Sequence, residues 1–391
     1  MFSAEDNVWM VQALRLAEQG LTSTSPNPRV GCVLIKDEKI IGSGWHQRAG
    51  EPHAEVYALR EAGEAAHGAT AYVTLEPCAH QGKTPPCADA LIAGCVARVV
   101  VAVQDPNPLV AGKGIEKLRA AGIPVECGLM EAAARELNVG FFARMTRGTP
   151  WLRSKIAMSL DGRTALANGV SQWITGDAAR QDVQHWRARS CAVLTGINTI
   201  LADDAQLNVR DVETSRQPLR VVLDSQLRIP LGARILTPSP TGGELPARGM
   251  SVVVGQQAAD NARQGWGSVL IYTATQQPEK IVALEKNGAT VVVLPNQNGQ
   301  VDLPAMLKDL AQRGINEVLV EAGSILNGAL LRAGLVDELV LYLAPQLLGD
   351  VARGMASLGE LTQLDQSVEL QWQDVRQVGN DLRILVSVKN G

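Results

Sequence analysis

The sequence predicts a layered α/β protein of two domains, and three observations predict it. The chain has 391 residues, too many for one compact core. Strand-like and helix-like segments alternate through both halves, the pattern of α/β layering. The run FFARMTRGTPW, residues 141–151, separates the two series and carries Gly148 and Pro150. It divides the chain into domains 1–148 and 149–391.

In the first domain Val8, Val11, Leu14 and Ala17 fall at helical spacing and predict a helix over residues 8–20. RVGCVLI (29–35) reads as a strand, and a helix opens near Pro52. AYVTLE (71–76) is a strand, residues 88–94 a short helix, and VARVVVAV (96–103) a strand apolar enough to be covered on both faces. GIEKLRAAG forms a helix ended by Gly122, and PVECG a short strand. In the second domain LRVVLDS, VLIYT, TVVVLP, EVLVEAG and ELVLYLAP read as strands, and QDVQHWRARS, PAMLKDLAQRG and ILNGALLRAG as helices. TPSPTGGELPARG (237–249), rich in proline and glycine, reads as an exposed loop.

With 46% hydrophobic and 19% charged residues the chain is globular and not disordered. A net charge of −4 and 4% aromatic residues argue against a nucleic-acid-binding surface. The acidic N-terminus lacks the basic start of a signal peptide, and no apolar run approaches the roughly 20 residues of a membrane span. A cytoplasmic location follows, where the six cysteines stay reduced. Cys32, Cys95 and Cys127 read as buried apolar residues.

EPHAEVYALR places His53 and Glu55 at a helix start, and EPCAHQGKTPPC follows with Cys78 and Cys87. One imidazole and two thiolates leave a fourth tetrahedral position for water, as in catalytic zinc sites. Zinc brings the pKa of such a water from about 15.7 to near 7. Glu55, not needed as a ligand, would carry the proton to a leaving amine, as in the zinc deaminases with an H-x-E…P-C-x-x-C pattern. The eight residues between Cys78 and Cys87 depart from that spacing. The bland alternatives stay open: an ordinary helix surface for His53 and Glu55, a structural zinc with His80 as fourth ligand, or a metal-free reduced cysteine pair.

TSPNPRVGCVLI, GEPHAE, TLEPCAHQGKTPPC and DPNPLVAGKGI together resemble the deaminase half of the bacterial bifunctional riboflavin-biosynthesis enzymes. KIAMSLDGRTA, SQWITG, NTILADDAQLNVR, VVLDS and VEAGSILNGALL resemble the reductase half. The long insert between the cysteines is what this family looks like. The resemblance implies a cytidine-deaminase-like three-layer α/β/α sandwich followed by a dihydrofolate-reductase-like α/β domain. It implies two steps, deamination of diaminohydroxyphosphoribosylaminopyrimidine and NADPH-dependent reduction of the product's ribosyl group to ribityl. The implied cofactors are Zn2+ and NADPH, the partners small phosphoribosyl pyrimidines, and the assembly a homo-oligomer, dimer or tetramer.

Carried over residue by residue, Asn27, Lys83, Asp105 and Asn107 resemble substrate contacts of the first site. Lys83 offers a cation to a phosphate, whereas Asn-Pro and Asp-Pro are also ordinary turn formers. For the dinucleotide the resemblance implies Ala157, Trp173, Thr199, Asp203, Ser225 and the run Gly323, Ser324, Ile325, Leu326, Asn327, Gly328 and Ala329. VEAGSILNGALL reads as strand, glycine turn and helix, a junction that presents N–H groups to phosphate. It lacks the G-x-G-x-x-G pattern, so it gives no support for a Rossmann domain. Ser171, Arg187, Leu207, Arg210 and Glu321 resemble contacts to the second substrate. Arg187 and Arg210 are a candidate bidentate phosphate clamp, with surface salt bridges as the alternative. Ala205 stands where the family motif has proline.

Two other functions compete. A nucleic-acid base deaminase with an accessory binding domain calls for a basic face and exposed aromatics. A zinc-stabilised binding protein leaves Glu55 without a task.

Overall fold

The computed structural model describes residues 2–79, 86–108, 110–237 and 267–389. His80, Lys83 and nearly all of the 237–249 loop lie outside them. The chain divides into two compact units, Met1–Thr149 and Pro150–Gly391, one residue beyond the predicted boundary. No helix among the described residues is long and apolar enough to cross a membrane.

In the first unit β1 (Gly31–Lys36), β2 (Lys39–Trp45), β3 (Thr70–Val73), β4 (Arg98–Val101) and β5 (Val125–Cys127) form one sheet in the order β2-β1-β3-β4-β5. β3, β4 and β5 run parallel, and β1 is antiparallel to both neighbours. The helices are α1 (Ala4–Glu18), α2 (Ala54–Ala62), α3 (Cys87–Ala93), α4 (Lys113–Ala120), α5 (Glu131–Leu137) and α6 (Val139–Arg147). Strand alternation splits the core. Cys32, Leu34, Val73, Val99 and Val101 pack with Ala58 of α2, Leu91 of α3 and Leu118 of α4. Val33, Ile35, Tyr72 and Val100 pack with Met10 of α1, Ala134 of α5 and Phe142 of α6. Both faces of the sheet are therefore covered, as the apolar strand runs predict.

α1 begins four residues earlier than predicted. Ser3 caps it: its Oγ accepts from Asp6 N at 3.1 Å, and Asp6 Oδ2 accepts from Ser3 N at 2.8 Å. Cys95 and Cys127 are exposed, against the expectation of burial, whereas Cys32 is buried. Cys95 sits in a turn with φ of 51°, and Cys127 ends the edge strand β5.

The second unit holds β6 (Trp151–Ser159), β7 (Arg163–Ala165), β8 (Ala192–Gly196), β9 (Leu219–Leu223), β10 (Val269–Thr273), β11 (Ala289–Val293), β12 (Glu317–Val320), β13 (Glu338–Ala344), β14 (Arg353–Gly354), β15 (Leu370–Val378) and β16 (Asp381–Val388). Its helices are α7 (Asp177–Arg189), α8 (Ile197–Asp203), α9 (Pro278–Lys286), α10 (Leu303–Gln312) and α11 (Ser324–Arg332). Nine strands make one sheet in the order β11-β10-β9-β8-β12-β6-β13-β16-β15. It is parallel from β11 to β13, and β16 and β15 add an antiparallel edge. Leu310 of α10 and Leu330 of α11 pack on one face, while Val183 of α7, Ile200 of α8 and Leu284 of α9 pack on the other. β6, β8 and the closing β15–β16 hairpin are strands that the sequence reading does not name.

Candidate active sites

His53 is the N-cap of α2 and Cys87 the first residue of α3, while Cys78 lies in the loop after β3. His53 Nδ1 lies 3.1 Å from Cys87 Sγ and 3.6 Å from Cys78 Sγ, and the three ligand atoms fall within 4.8 Å of one another. Tetrahedral Zn–S and Zn–N bonds of about 2.3 and 2.0 Å separate their ligand atoms by roughly 3.5 Å, so the donor set fits zinc. Cys87 N donates to Cys78 Sγ at 3.4 Å. The hydrogen bond from the Cys87 thiol holds Cys78 well below the usual thiol range, and the same bond pushes Cys87 up. Both sulfurs would ligate zinc as thiolates, the form that binds metal.

Glu55, in the first turn of α2, is 3% exposed, and its Oε2 has no hydrogen-bond partner among the described residues. Burial raises its pKa, against the opposing charge of His53. A buried carboxylate oxygen without a partner costs stability unless a water or ligand occupies the site.

His46 is a site residue that the sequence reading misses. Its Nδ1 is 3.1 Å from the Pro52 carbonyl, which can only accept, so Nδ1 carries the hydrogen. Nε2 is then the acceptor for Asn27 Nδ2 at 3.0 Å. This fixes the Asn27 amide with its oxygen turned away from His46. The His46 ring meets His53 edge to face with centroids 5.2 Å apart, which ties Asn27 to the candidate ligand His53. Burial lowers the His46 pKa to about 4, so the ring is neutral. Asp105 is buried and accepts from Asn107 N at 2.8 Å. Burial, with Glu76 and Cys78 nearby, raises Asp105 to about 6.

In the second unit a cavity of about 1230 Å³ opens beyond the carboxyl ends of β8, β9 and β12. That exceeds the about 300–1,000 Å³ of a single small-ligand site and has room for a dinucleotide with a substrate. Ala157, Ser171, Trp173, Arg187, Thr199, Asp203, Leu207, Arg210, Ser225 and Glu321 line it, with Gly323, Ser324, Ile325, Leu326 and Ala329 of the glycine turn. Gly323 is the N-cap of α11, whose first N–H groups have no intrahelical acceptor. A Cβ on Gly323 would meet nothing within 4 Å, so open space lies before the helix start where a phosphate would sit.

Two expectations for this cavity need correction. Asn327 and Gly328 are absent from its wall. Asn327 is buried, bonded to Ser154 Oγ at 3.1 Å and to the carbonyls of Ala322 and Met355. A Cβ on Gly328 would strike the Ser357 carbonyl at 2.2 Å, so that glycine serves helix packing. The bidentate clamp by two arginines also changes. Arg187 gives its fork to Glu321, with Nη2 at 2.9 Å from Oε2, and Nη1 donates to the Asn208 carbonyl at 3.0 Å. Arg210 is exposed to the cavity and has no such commitment of its guanidinium among the described residues.

Lys155 on β6 also lines the cavity and went unread in the sequence. Burial lowers its pKa, with Arg187 adding to the effect and Glu321 opposing it. No helical or strand periodicity distinguishes it from a surface lysine; only the position of β6 inside the sheet does.

Comparisons with known proteins match both units. Residues 3–103 match the cytidine and deoxycytidylate deaminase zinc-binding region, and residues 150–384 match the RibD C-terminal domain. The chain is 47% identical to the riboflavin biosynthesis protein RibD of Escherichia coli, over 97% of this chain and 98% of that one. It is 44% identical to RibD of Haemophilus influenzae, over 99% of each. A solved structure of Acinetobacter baumannii RibD matches with TM-score 0.85 and 47% identity over 99% of both chains. The Thermotoga maritima diaminohydroxyphosphoribosylaminopyrimidine deaminase and phosphoribosylaminouracil reductase matches with TM-score 0.80 and 30% identity over 98% of this chain and 99% of that one. A zinc-binding deaminase sandwich and a reductase domain, each found at the expected place in a full-length match, make this chain a member of the RibD family, a bifunctional enzyme of riboflavin biosynthesis that is a zinc hydrolase in one half and an NADPH-dependent oxidoreductase in the other.

Proposed function

We propose that domain 1–148 deaminates diaminohydroxyphosphoribosylaminopyrimidine and that domain 149–391 reduces the ribosyl group of the product to ribityl. The observation that carries the first assignment is Glu55, a buried carboxylate with an unpartnered oxygen beside the His53–Cys78–Cys87 trio. Those three side chains would hold Zn2+, which supplies a water acidified toward neutrality. Glu55 takes a proton from the water and returns it to the leaving amine. Its raised pKa suits it to hold the proton between the two events. Asn27, oriented by His46, presents its amide oxygen to the base, and Asp105 and Asn107 contact the base or sugar from the neighbouring loop. Lys83 is assigned to the phosphate.

In the second domain Ala157, Trp173, Thr199, Asp203, Ser225 and the Gly323–Leu326 turn with Ala329 would hold NADPH, which supplies a hydride. Ser171, Arg187, Leu207, Arg210 and Glu321 orient the substrate, with Arg210 as the free cation for its phosphate. Ribosyl-to-ribityl reduction adds a hydride to the first carbon of the sugar and a proton to the oxygen released from it. Lys155 is the cationic side chain whose lowered pKa suits it to give that proton.

A cytoplasmic homo-oligomer completes the reading. The edge strand β15 supports self-association, because its outer backbone groups have no sheet partner among the described residues and Trp372 is 68% exposed. The test of the whole assignment is the two half-reactions on one zinc-loaded preparation. The aminopyrimidine alone should release ammonia, and NADPH should then be consumed in equal amount. Ammonia release without NADPH consumption would remove the second assignment.

A further inference from the structure

The carboxylate of Glu76 is 3% exposed and accepts four backbone N–H groups. Asp105 N at 3.2 Å and Gly112 N at 2.9 Å meet Oε2, while Gly114 N at 2.9 Å and Ile115 N at 3.2 Å meet Oε1. Gly114 and Ile115 lie in the first turn of α4, whose N-cap Gly112 has no side chain and a φ of 84°. Glu76 therefore caps that helix from a distant segment, with the negative charge that a helix N-terminus favours.

The glycines allow the approach. A Cβ on Gly114 would lie 1.8 Å from the Pro77 carbonyl and 3.2 Å from Glu76 Oε1. Asp105 and residues 112–115 are thus drawn onto the residues that lead directly into Cys78. Asp105 Oδ1 in turn accepts from Asn107 N at 2.8 Å, which extends the order to the next substrate candidate.

We propose that Glu76 is a positioning residue of the deaminase site. It holds Asp105 and the start of α4 against the loop that carries Cys78 and so fixes Asp105 and Asn107 where they meet the substrate. The inference rests on the reading of those two residues as substrate contacts. Glu76→Gln keeps the shape, but it puts an amide NH2 against N–H donors on one side. Half of the grip is lost, while β3 and the three metal ligands keep their own contacts.

The test uses the full-length, zinc-loaded protein as wild type, Glu76→Gln and Asn107→Ala. Deaminase kinetics, zinc per chain and amide hydrogen exchange over 104–116 are measured. Glu76→Gln should raise the deaminase KM about tenfold, the effect of one substrate hydrogen bond lost from the loosened segment, with kcat and zinc content little changed. Exchange should quicken in 104–116 and stay unchanged in β3. The double variant should raise KM by no more than the larger single effect, since both changes act through one contact.

If Asn107→Ala raises KM and Glu76→Gln does not, the positioning role is wrong while the substrate reading stands. If Asn107→Ala and Asp105→Asn both keep the wild-type KM, the substrate reading is wrong and the inference goes with it. Zinc loss in Glu76→Gln would mark Glu76 as a support of the metal turn and overturn the proposal. Should Glu76→Gln fail to fold, Glu76→Asp keeps the charge with a shorter reach, and a wild-type KM there would overturn it equally.

Discussion

Arg187 and Glu321 meet fork to fork in the wall of the second-unit cavity, with Arg187 Nη2 donating to Glu321 Oε2 at 2.9 Å. The pair is largely buried, and each partner's charge is compensated by the other. Glu321→Ala would leave the guanidinium uncompensated and should destabilise the second unit by about 3 kcal/mol. Arg210→Ala should leave stability unchanged and raise the KM for the reductase substrate, with NADPH affinity little altered. Thermal unfolding and dinucleotide titration on the two variants separate the roles. A collapse of NADPH affinity in Arg210→Ala would reverse the assignment.

Cys87→Ser should deplete zinc and abolish deamination, because a hydroxyl replaces a thiolate at a site with one imidazole and one remaining sulfur. Reduction of supplied intermediate should continue on the same preparation. Full zinc occupancy would remove Cys87 from the ligand set.

Glu55→Gln keeps almost the same shape, so zinc content should survive. The amide neither accepts nor returns a proton, and deamination should fall by about 10²–10⁴. A parallel fall in reduction would contradict the assignment of two separate sites.

Lys155→Met removes the cation from β6 while preserving its apolar stem. The kcat for reduction should drop by roughly 10²–10⁴, with NADPH binding, followed by fluorescence, near wild type. Unchanged turnover would assign the proton to another group.

Asp6 accepts from Arg98 at 2.7 Å and from Tyr72 at 2.8 Å, and the Arg98 bond holds its carboxyl well below the usual range against the effect of burial. The folded pKa is depressed, so the contribution to stability is complete above the unfolded value of about 4 and is lost as pH falls through the folded one. Asp6→Asn should cost about 2 kcal/mol at neutral pH, less than a fully buried pair, because the Arg98 side chain is 29% exposed. The variant's melting temperature should fall less steeply than that of wild type below about pH 4. Equal acid slopes would show that Asp6 does not control this region.

The legible parts of the chain were those whose cause is local. Val99, Val100 and Val101 are apolar in succession because α-helices cover both faces of β4, and the run says so directly. Gly323 marks a turn because its neighbours change period from strand to helix. His53 and Glu55 share one helix start, so their spacing carries information. Glu76, His46 and Lys155 were not legible, since each is defined by a partner or a cavity supplied by distant segments. Asn327 and Gly328 were misread for a different reason. The motif runs on without a break, but at 3.6 residues per turn Leu326 and Ala329 reach the cavity while Asn327 and Gly328 turn inward.

The strand order of the second sheet has a consequence for synthesis on the ribosome. All five strands of the first sheet lie within the first 127 residues, so that sheet can close, and its histidine and cysteines can take up metal, while the rest of the chain is still being made. β6 is the first strand of the second sheet to emerge, yet its two neighbours are β12 and β13. At about 5–20 residues per second, residues 317–344 follow it only after roughly ten to thirty seconds. Until then a nine-residue strand waits with both edges open. The nascent chain is thus most exposed to misassembly after its first catalytic half is finished, and a chaperone would have most to protect there.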